Sequence, residues 1–549
     1  MLGSIAKHVQ LISESARAVG LLVQRGLIDP RRPDFTLQAA RDTPRFGPAA
    51  ALIRVGARRY GDVPVLADER GELTFTGVDR QSNALAHGLR ELGLREGSVL
   101  GVLARDHRGL VLAMVAAGKL GARLVMLNTG FAKPQFAEVV AREHVQAVMY
   151  DSEFEGLLDA LPESLPRVLT WVDGDVPDGV HTIESLAAGQ PTTALPAPAT
   201  AGGFIILTSG TTGLPKGAPR TSVSPLASAQ MVDRIPFPRK DSVVIVSPLF
   251  HSTGLGTWFV TTALGNKTVL RRRFDPEATL RMIAEHRAKM LIAVPTMVHR
   301  MVELPAEVRK RYDTSSLEVI LIAGSALSPE LTARTREVFG DVLYNLYGST
   351  EVAVATVATP QDLILAPGTA GRSPVTCEVA LFDDEGRRIT GNNRTGRIFV
   401  RSGAPFEGYT DGRHKQIIDG YMSSGDVGHF DSHGLLFIDG RDDDMIVSGG
   451  ENVFPLEVEN LLIERDDVFD AAVIGVDDPE FGKRLRAFVV RGEGATCDAD
   501  EIRRYVKDNL ARYKVPRDVV FLDELPRNPT GKLLRRVLAE MDVPATETQ

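Results

Sequence analysis

Short apolar runs alternate with longer amphipathic stretches through most of the chain. Val99 to Leu103, Arg123 to Leu127 and Ala147 to Tyr150 are brief and apolar, as strands are. Gln81 to Leu92, Leu110 to Leu120 and Pro134 to His144 carry helical periodicity between them. Strands that alternate with helices predict a largely parallel sheet covered on both faces. Val243 to Ser247, Thr268 to Leu270, Met290 to Ala293 and Val319 to Ala323 extend the pattern. The helix after Leu270 has an explicit start, with Asp275 as N-cap, Pro276 in the first turn and Glu277 behind it. Residues 160 to 200 are rich in Pro, Ala and Asp and predict a surface connection.

The texture changes after Gly371. Val379 to Phe382, Gly396 to Val400 and Leu435 to Asp439 alternate with turns, as in a small β-rich subdomain. A second break follows Gly440. From Glu457 the pattern is helix, strand, strand, helix and then a basic tail, enough for a separate α+β domain. The fold class is therefore α/β: a large N-terminal domain of parallel-type sheets flanked by helices, with a β-rich subdomain, then a small α+β C-terminal domain. The expected divisions are a helical extension over 1–50, the large domain over 51–441 and the small domain over 442–549.

In the extension, Ile5, Val9, Ile12, Ala16 and Val19 recur at helical spacing, and Lys7, Arg17 and Arg25 lean basic. One reading is weak contact with a membrane surface. The favoured one is a helix packed on the body or against a second copy, because a modest moment with few cations is thin support for a membrane helix.

The length of 549 residues calls for two or more domains, and a hydrophobic content of 43% suffices for large cores. A net charge of −8 without a long basic block argues against nucleic acid as the main partner. The two cysteines, Cys377 and Cys497, lie far apart and form no metal spacing, so a reducing cytosol fits better than a disulfide framework. No apolar stretch reaches the roughly 18 residues of a membrane span, and the N-terminus lacks the ordered parts of a signal peptide. A cytoplasmic protein is expected.

The most informative chemistry comes after the apolar run Phe204 to Leu207. There Thr208, Ser209, Gly210, Thr211, Thr212 and Gly213 precede Leu214, Pro215, Lys216 and Gly217. Glycines let a backbone approach phosphate oxygens, hydroxyls and free N–H groups donate to them, and Lys216 adds a positive charge. The loop suits a polyphosphate. It is not a Walker A motif, which needs Gly and Lys adjacent and then Ser or Thr.

This segment resembles the phosphate-binding signature of the adenylate-forming superfamily of acyl-CoA synthetases, adenylation domains and luciferases. Further segments, in family order, carry the same resemblance. Ser247 to Gly254 ends a predicted strand and places His251 where α/β sheets hold ligands. It is similar to the family's gate beside the carboxylate. Amino-acid adenylating relatives carry an aspartate there, and this chain has none between Pro248 and Thr257. An unpaired ammonium in an apolar pocket costs several kcal/mol, so an ordinary amino acid is a poor substrate.

The resemblance implies the remaining roles. Gly324, Ser325 and Ala326 would form the adenine and acyl pocket. Asn345 belongs to the segment in which Tyr347 and Gly348 would flank adenine, Thr350 would donate to the α-phosphate and Glu351 would hold Mg²⁺, with Thr208 as second ligand. Asp426 would bind both ribose hydroxyls, Arg441 ribose or phosphate, and Asp443 would be the hinge between domains. Gly449 and Gly450 would leave a path for the pantetheine arm of CoA. Lys532, in Leu525 to Lys532, would be the catalytic lysine of a mobile C-terminal domain.

The implied activity is that of an acyl-CoA synthetase: ATP-dependent activation of a carboxylic acid to acyl-AMP, then transfer to CoA. A medium or long fatty acid is expected. An aromatic, branched or sterol-derived acid, and a carrier protein in place of CoA, are the alternatives. Phe250, Trp258, Phe259, Met297, Val352 and Val354 are candidates for an apolar pocket. Oligomeric state stays open.

Overall fold

The computed structural model describes residues 15–177, 179–208, 215–220, 225–403, 406–448, 451–478, 482–529 and 531–541. Two large sheets form the body. One has eight strands, in the spatial order Ala353–Ala358, Leu343–Ser349, Val319–Ala323, Met290–Ala293, Ser242–Ile245, Lys267–Val269, Pro64–Asp68 and Gly71–Thr74. Its inner pairs are parallel and its two edge pairs antiparallel. The other has seven strands, with Val99–Leu103 between Arg123–Met126 and Ala147–Asp151, and the hairpin Phe204–Thr208 to Lys216–Arg220 at one edge. The central strands are continuous buried apolar runs, as strands covered on both faces must be.

Helix starts follow local chemistry. The Asp275 carboxylate accepts from Ala278 N at 2.6 Å, and Ser328 Oγ accepts from Leu331 N at 3.1 Å, each ahead of a proline in the first turn. The helix expected from Gln81 begins earlier and runs Phe75–Glu91, because Thr74 caps it by accepting from Gly77 N.

The stretch 160–200 departs from the expected surface connection. Arg167–Trp171 and His181–Thr182 add two parallel strands to the seven-stranded sheet, and Ile183–Ala187 forms a helix with a Thr182–Ser185 capping box. Its proline- and aspartate-rich flanks mask a run only five residues long, in which Val168 and Leu169 are buried.

In the extension, a helix over 15–25 packs on the body through Ala18 and Leu22. Ala16 and Val19, picked out by periodicity, are exposed, whereas Ile5, Val9 and Ile12 lie outside the described residues. The buried face is thus a different one from the expected stripe. The next helix, Pro33–Tyr60, spans both sides of residue 50 and kinks at Gly47, which lies at φ 72° between Pro44 and Pro48.

Six strands from Cys377–Phe382 to Leu436–Arg441 form the β-rich subdomain. A turn at Asp442–Asp444 leads on to the small domain. There Pro455–Ile463 and Ala499–Asn509 pack on Val468–Asp478, Gly482–Arg491 and Asp518–Leu522. This domain has its own core of Val458, Leu462, Val473, Leu485, Val489, Ile502 and Val506. The expected basic tail is instead the strand Asp518–Leu522 and the helix Arg535–Glu540. Among the described residues, no helix is long and apolar enough to cross a membrane.

Candidate active site

A single cleft of about 2420 Å³ opens where strands end. Ser242–Ile245, Met290–Ala293, Val319–Ala323 and Leu343–Ser349 are successive neighbours, and all deliver their C-terminal ends to it. This is the ligand-binding edge of an open α/β sheet. It gathers Thr208, Lys216, His251, Gly324, Ser325, Ala326, Asn345, Tyr347, Gly348, Thr350, Glu351, Asp426, Arg441 and Lys532. Ser209, Gly210, Thr211, Thr212, Gly213, Gly449 and Gly450 lie outside the described residues.

At one end of the cleft, the hairpin pairs Thr208 with Lys216, so the two ends of the glycine-rich loop lie side by side. Thr208 Oγ1 donates to Lys216 O at 3.3 Å. The Lys216 ammonium stands 5.0 Å from the Tyr409 ring centroid. Tyr409 in turn donates to one oxygen of Glu351, and Ser349 Oγ donates to the other at 2.9 Å. Burial alone would raise the Glu351 pKa; Tyr409, Lys415 and Ser349 together hold it below the usual carboxylate range. A buried, ionised carboxylate beside a hydroxyl-bearing loop fits Mg²⁺, which takes oxygen ligands and needs only one or two from protein.

Gly348 is required by its surroundings. A Cβ there would lie 1.9 Å from Ala353 O, at the point where the two strands change register. Arg220 donates to Thr350 O. The Thr350 hydroxyl faces Ser252 Oγ at 3.3 Å.

His251 closes the turn after Ser242–Ile245 and caps the helix Ser252–Ala263. Gly254 lets this turn fold, since a Cβ would strike Pro248 O at 2.3 Å. His251 Nε2 is buried and has no hydrogen-bond partner among the described residues. Burial, with the charge of Lys532, pushes its pKa down to about 4, so the ring is neutral near pH 7 and has one nitrogen for a ligand. Beneath it, buried Asp106 accepts from Leu249 N at 3.0 Å and is pushed up to about 7 by burial.

At the other end of the cleft, Tyr347 Oη donates to Asp426 Oδ2 at 2.5 Å, and Arg441 Nη1 donates to Asp426 Oδ1 at 3.2 Å. Arg441 also binds Asp443 at 3.0 Å, which ties the Asp426 carboxylate to the turn at Asp442–Asp444. Gly324 has φ 97° and leaves backbone open at the wall. The Asn345 amide is used structurally and donates to Thr369 O at 3.1 Å.

The small domain places Lys532 in this cleft. Its loop is held by Asn528, whose side chain accepts from Lys532 N at 2.9 Å, and by Arg527, which donates to Gly531 O at 2.8 Å and pairs with Asp470. Lys532 keeps solvent access because the cleft is open, yet protein atoms crowd it. That desolvation and the charge of Arg441 lower its pKa, against Asp444, Asp443 and Asp426.

One side of the cleft is apolar. Met231, Leu255, Gly256, Phe259, Leu346 and Val354 form it, with Phe204 edge-on to Phe259 at 5.9 Å. Of the six expected wall residues, Phe259 and Val354 line the cleft. Phe250, Trp258, Met297 and Val352 are core instead, each at most 9% exposed. Trp258 and Phe259 are neighbours on one helix whose other residues are Gly, Ala, Ser, Thr, Leu and Val, and periodicity does not say which of its sides faces a cavity. Tyr409, Arg220, Ser252 and Thr296 also line the cleft and went unnoticed, since an isolated Tyr or Thr after a glycine-rich stretch gives no distinctive signal.

The profile of the AMP-binding enzyme family matches residues 53–410, and that of the AMP-binding enzyme C-terminal domain matches residues 457–532. The chain belongs to the AMP-binding enzyme family. An indoleacetate–CoA ligase of Aromatoleum aromaticum is 33% identical over 474 residues, which cover 84% of this chain and 92% of that protein. A long-chain-fatty-acid–CoA ligase of Mycobacterium tuberculosis is 30% identical over 482 residues, covering 85% and 93%. The crystal structure of an anthranilate–CoA ligase in complex with anthranoyl-AMP matches with a TM-score of 0.81 at 26% identity, over 89% of this chain and 96% of that one. Membership makes the chain an AMP-forming acid–CoA ligase that uses ATP, Mg²⁺ and CoA and passes through an acyl adenylate.

Proposed function

We propose that this ligase activates a carboxylic acid with an uncharged, apolar tail. The observation that carries the reading is the acyl wall: Phe204, Ile206, Met231, Leu255, Phe259, Val260, Leu346 and Val354 carry no charge to pair a second carboxylate or an ammonium. Burying either group unpaired costs several kcal/mol or more. Alkyl and ring tails both satisfy this wall. An aromatic or cyclic acid is supported by the indoleacetate and anthranilate ligases, and a fatty acid by the long-chain ligase.

In the adenylation step, one oxygen of the acid attacks the α-phosphorus of ATP, and the bond to the bridging oxygen of pyrophosphate breaks. Neutral His251, in the tautomer protonated at Nε2, donates to the acid. Thr350 and Lys532 stabilise the charge that grows on the α-phosphate, an effect commonly worth a few kcal/mol. Asp426 and Tyr347 fix the nucleoside, and Lys216 with the adjoining loop holds the outgoing phosphates. Glu351 and Thr208 would hold Mg²⁺, which when bound neutralises phosphate charge. In the second step the small domain turns about Asp443 and withdraws Lys532. The CoA sulfur then attacks the acyl carbon, and the carbon–oxygen bond to AMP breaks.

Pyrophosphate release by purified protein with Mg-ATP, with and without CoA, tests the assignment on straight-chain, aromatic and cyclic acids beside dicarboxylates and α-amino acids. Release confined to uncharged tails supports it. Preference for a dicarboxylate or an amino acid overturns it, and acyl-AMP that CoA leaves untouched points to carrier-protein loading.

A further inference from the structure

Several elements that wall the apolar side of the cleft touch the N-terminal segment at their far ends. Leu346 and Gly348 line the cleft on one face of their strand, and Tyr344, two residues earlier, lies deeper on that same face. Tyr344, Leu346, Met231 and Phe259 pack on one apolar core, and so do Ala18, Leu22, Leu21, Leu27 and Ile28 of the segment. Arg25 Nη2 donates to Asp233 O at 3.1 Å and so holds the helix Pro225–Arg234 two residues beyond Met231. The charge of Arg25 also acts on the Tyr344 hydroxyl, against the effect of burial.

The next helix, Pro33–Tyr60, grips the other two walls. Tyr60 Oη donates to Ala263 O at 3.1 Å, at the end of the helix that carries Leu255 and Phe259. At the kink, Pro44 O accepts from Ala201 N at 3.0 Å, three residues before Phe204. Gly47 turns with φ 72° against Ala201.

We infer that residues 15–60 form the closed end of the acyl pocket and set the length of acid this ligase accepts. The inference rests on the apolar-acid reading above. It points to a compact substrate, a ring system or a chain of limited length, because a longer tail must displace Leu22, Tyr344 and the Arg25–Asp233 contact. Rejection comes from packing: one methylene too many in a hydrophobic pocket is worth roughly 10-fold to 200-fold in kcat/KM.

The test is the ratio of kcat/KM for a long and a short straight-chain acid, measured by pyrophosphate release in wild type, Leu22→Ala and Tyr344→Ala. Wild type discriminates against the longer acid, and either substitution raises the long-to-short ratio about 10-fold or more. Arg25→Ala, which removes no buried apolar side chain, gives the same direction if Leu22→Ala does not fold. A wild type that takes long acids as readily as short ones overturns the inference. So does a set of variants in which all acids fall by a common factor, as a merely structural segment requires. A wild type that activates no uncharged acid overturns the apolar-acid reading and the inference with it.

Discussion

Gly531 and Thr296 meet with no space between them for a side chain. A Cβ on Gly531 would lie 2.3 Å from Thr296 Oγ1, and Gly531 has φ 75°. Thr296 belongs to the large domain, just beyond the strand Met290–Ala293, and Gly531 precedes Lys532 in the small one. The contact seats the Lys532 loop in the cleft, where adenylation is proposed to occur. Gly531→Ala is strained in backbone and blocked in space. It should slow pyrophosphate release by up to roughly 10²-fold, as a displaced catalytic group does. CoA transfer from supplied acyl-AMP should change much less, and measuring the two half-reactions separately checks this.

Lys532→Ala removes the cation itself. Adenylation should fall about 10²-fold or more, while ATP binding measured by calorimetry stays close to that of wild type. A variant that forms acyl-AMP at the wild-type rate removes Lys532 from the mechanism.

Tyr409 acts through Glu351. It donates to the carboxylate and so helps hold its pKa below the usual range. A carboxylate with a depressed pKa stays ionised until pH falls through that lowered value. Tyr409→Phe removes a donor, so the Glu351 pKa rises and the acid limb of kcat/KM for Mg-ATP moves to higher pH. With Glu351 ionised throughout, wild type stays flat at the acid end of a profile from pH 5 to 8, whereas the variant falls off there, and repeating the profile at several Mg²⁺ concentrations ties the fall to metal binding. With its pKa near 4, His251 adds no limb inside that window.

Asp106 carries the opposite sign. Its pKa is raised from 3.8 to about 7, so its protonated form is favoured in the folded chain. The stability it contributes is present below about pH 4 and is lost as pH rises through 7. Asp106→Asn keeps an acceptor for Leu249 N without the charge. The substitution should raise the apparent melting temperature by a few degrees at pH 8 and leave it nearly unchanged at pH 4, as thermal denaturation at the two values shows.

Much of the site was legible because its residues lie in short segments at strand ends. The runs before His251, Gly324 and Asn345 announce strands; the first two strands carry the residues just beyond them into the cleft, and Asn345 to Ser349 are the C-terminal end of the third. The contact of Tyr347 with Asp426 joins two motifs 79 residues apart that were assigned to one nucleoside. The structure brings both to the same wall. What escaped depends on partners that sequence does not show. Tyr409 matters because the β-rich subdomain folds it onto Glu351, and nothing near residue 409 signals that encounter. The buried face of the first helix was misread because Ala18 and Leu22 are a smaller stripe than the one through Ala16 and Val19. Trp258 and Phe259 are neighbours of similar character, and only packing sends the first into the core and the second to the cleft.

The most direct test of the central claim traces oxygen. When an acid labelled with ¹⁸O in both carboxylate positions is turned over with Mg-ATP and CoA, one labelled oxygen should appear in AMP for each acyl-CoA formed, because attack by CoA breaks the acyl carbon–oxygen bond and leaves that oxygen on phosphorus. AMP without label, or ADP and phosphate as the nucleotide products, would contradict activation through an acyl adenylate.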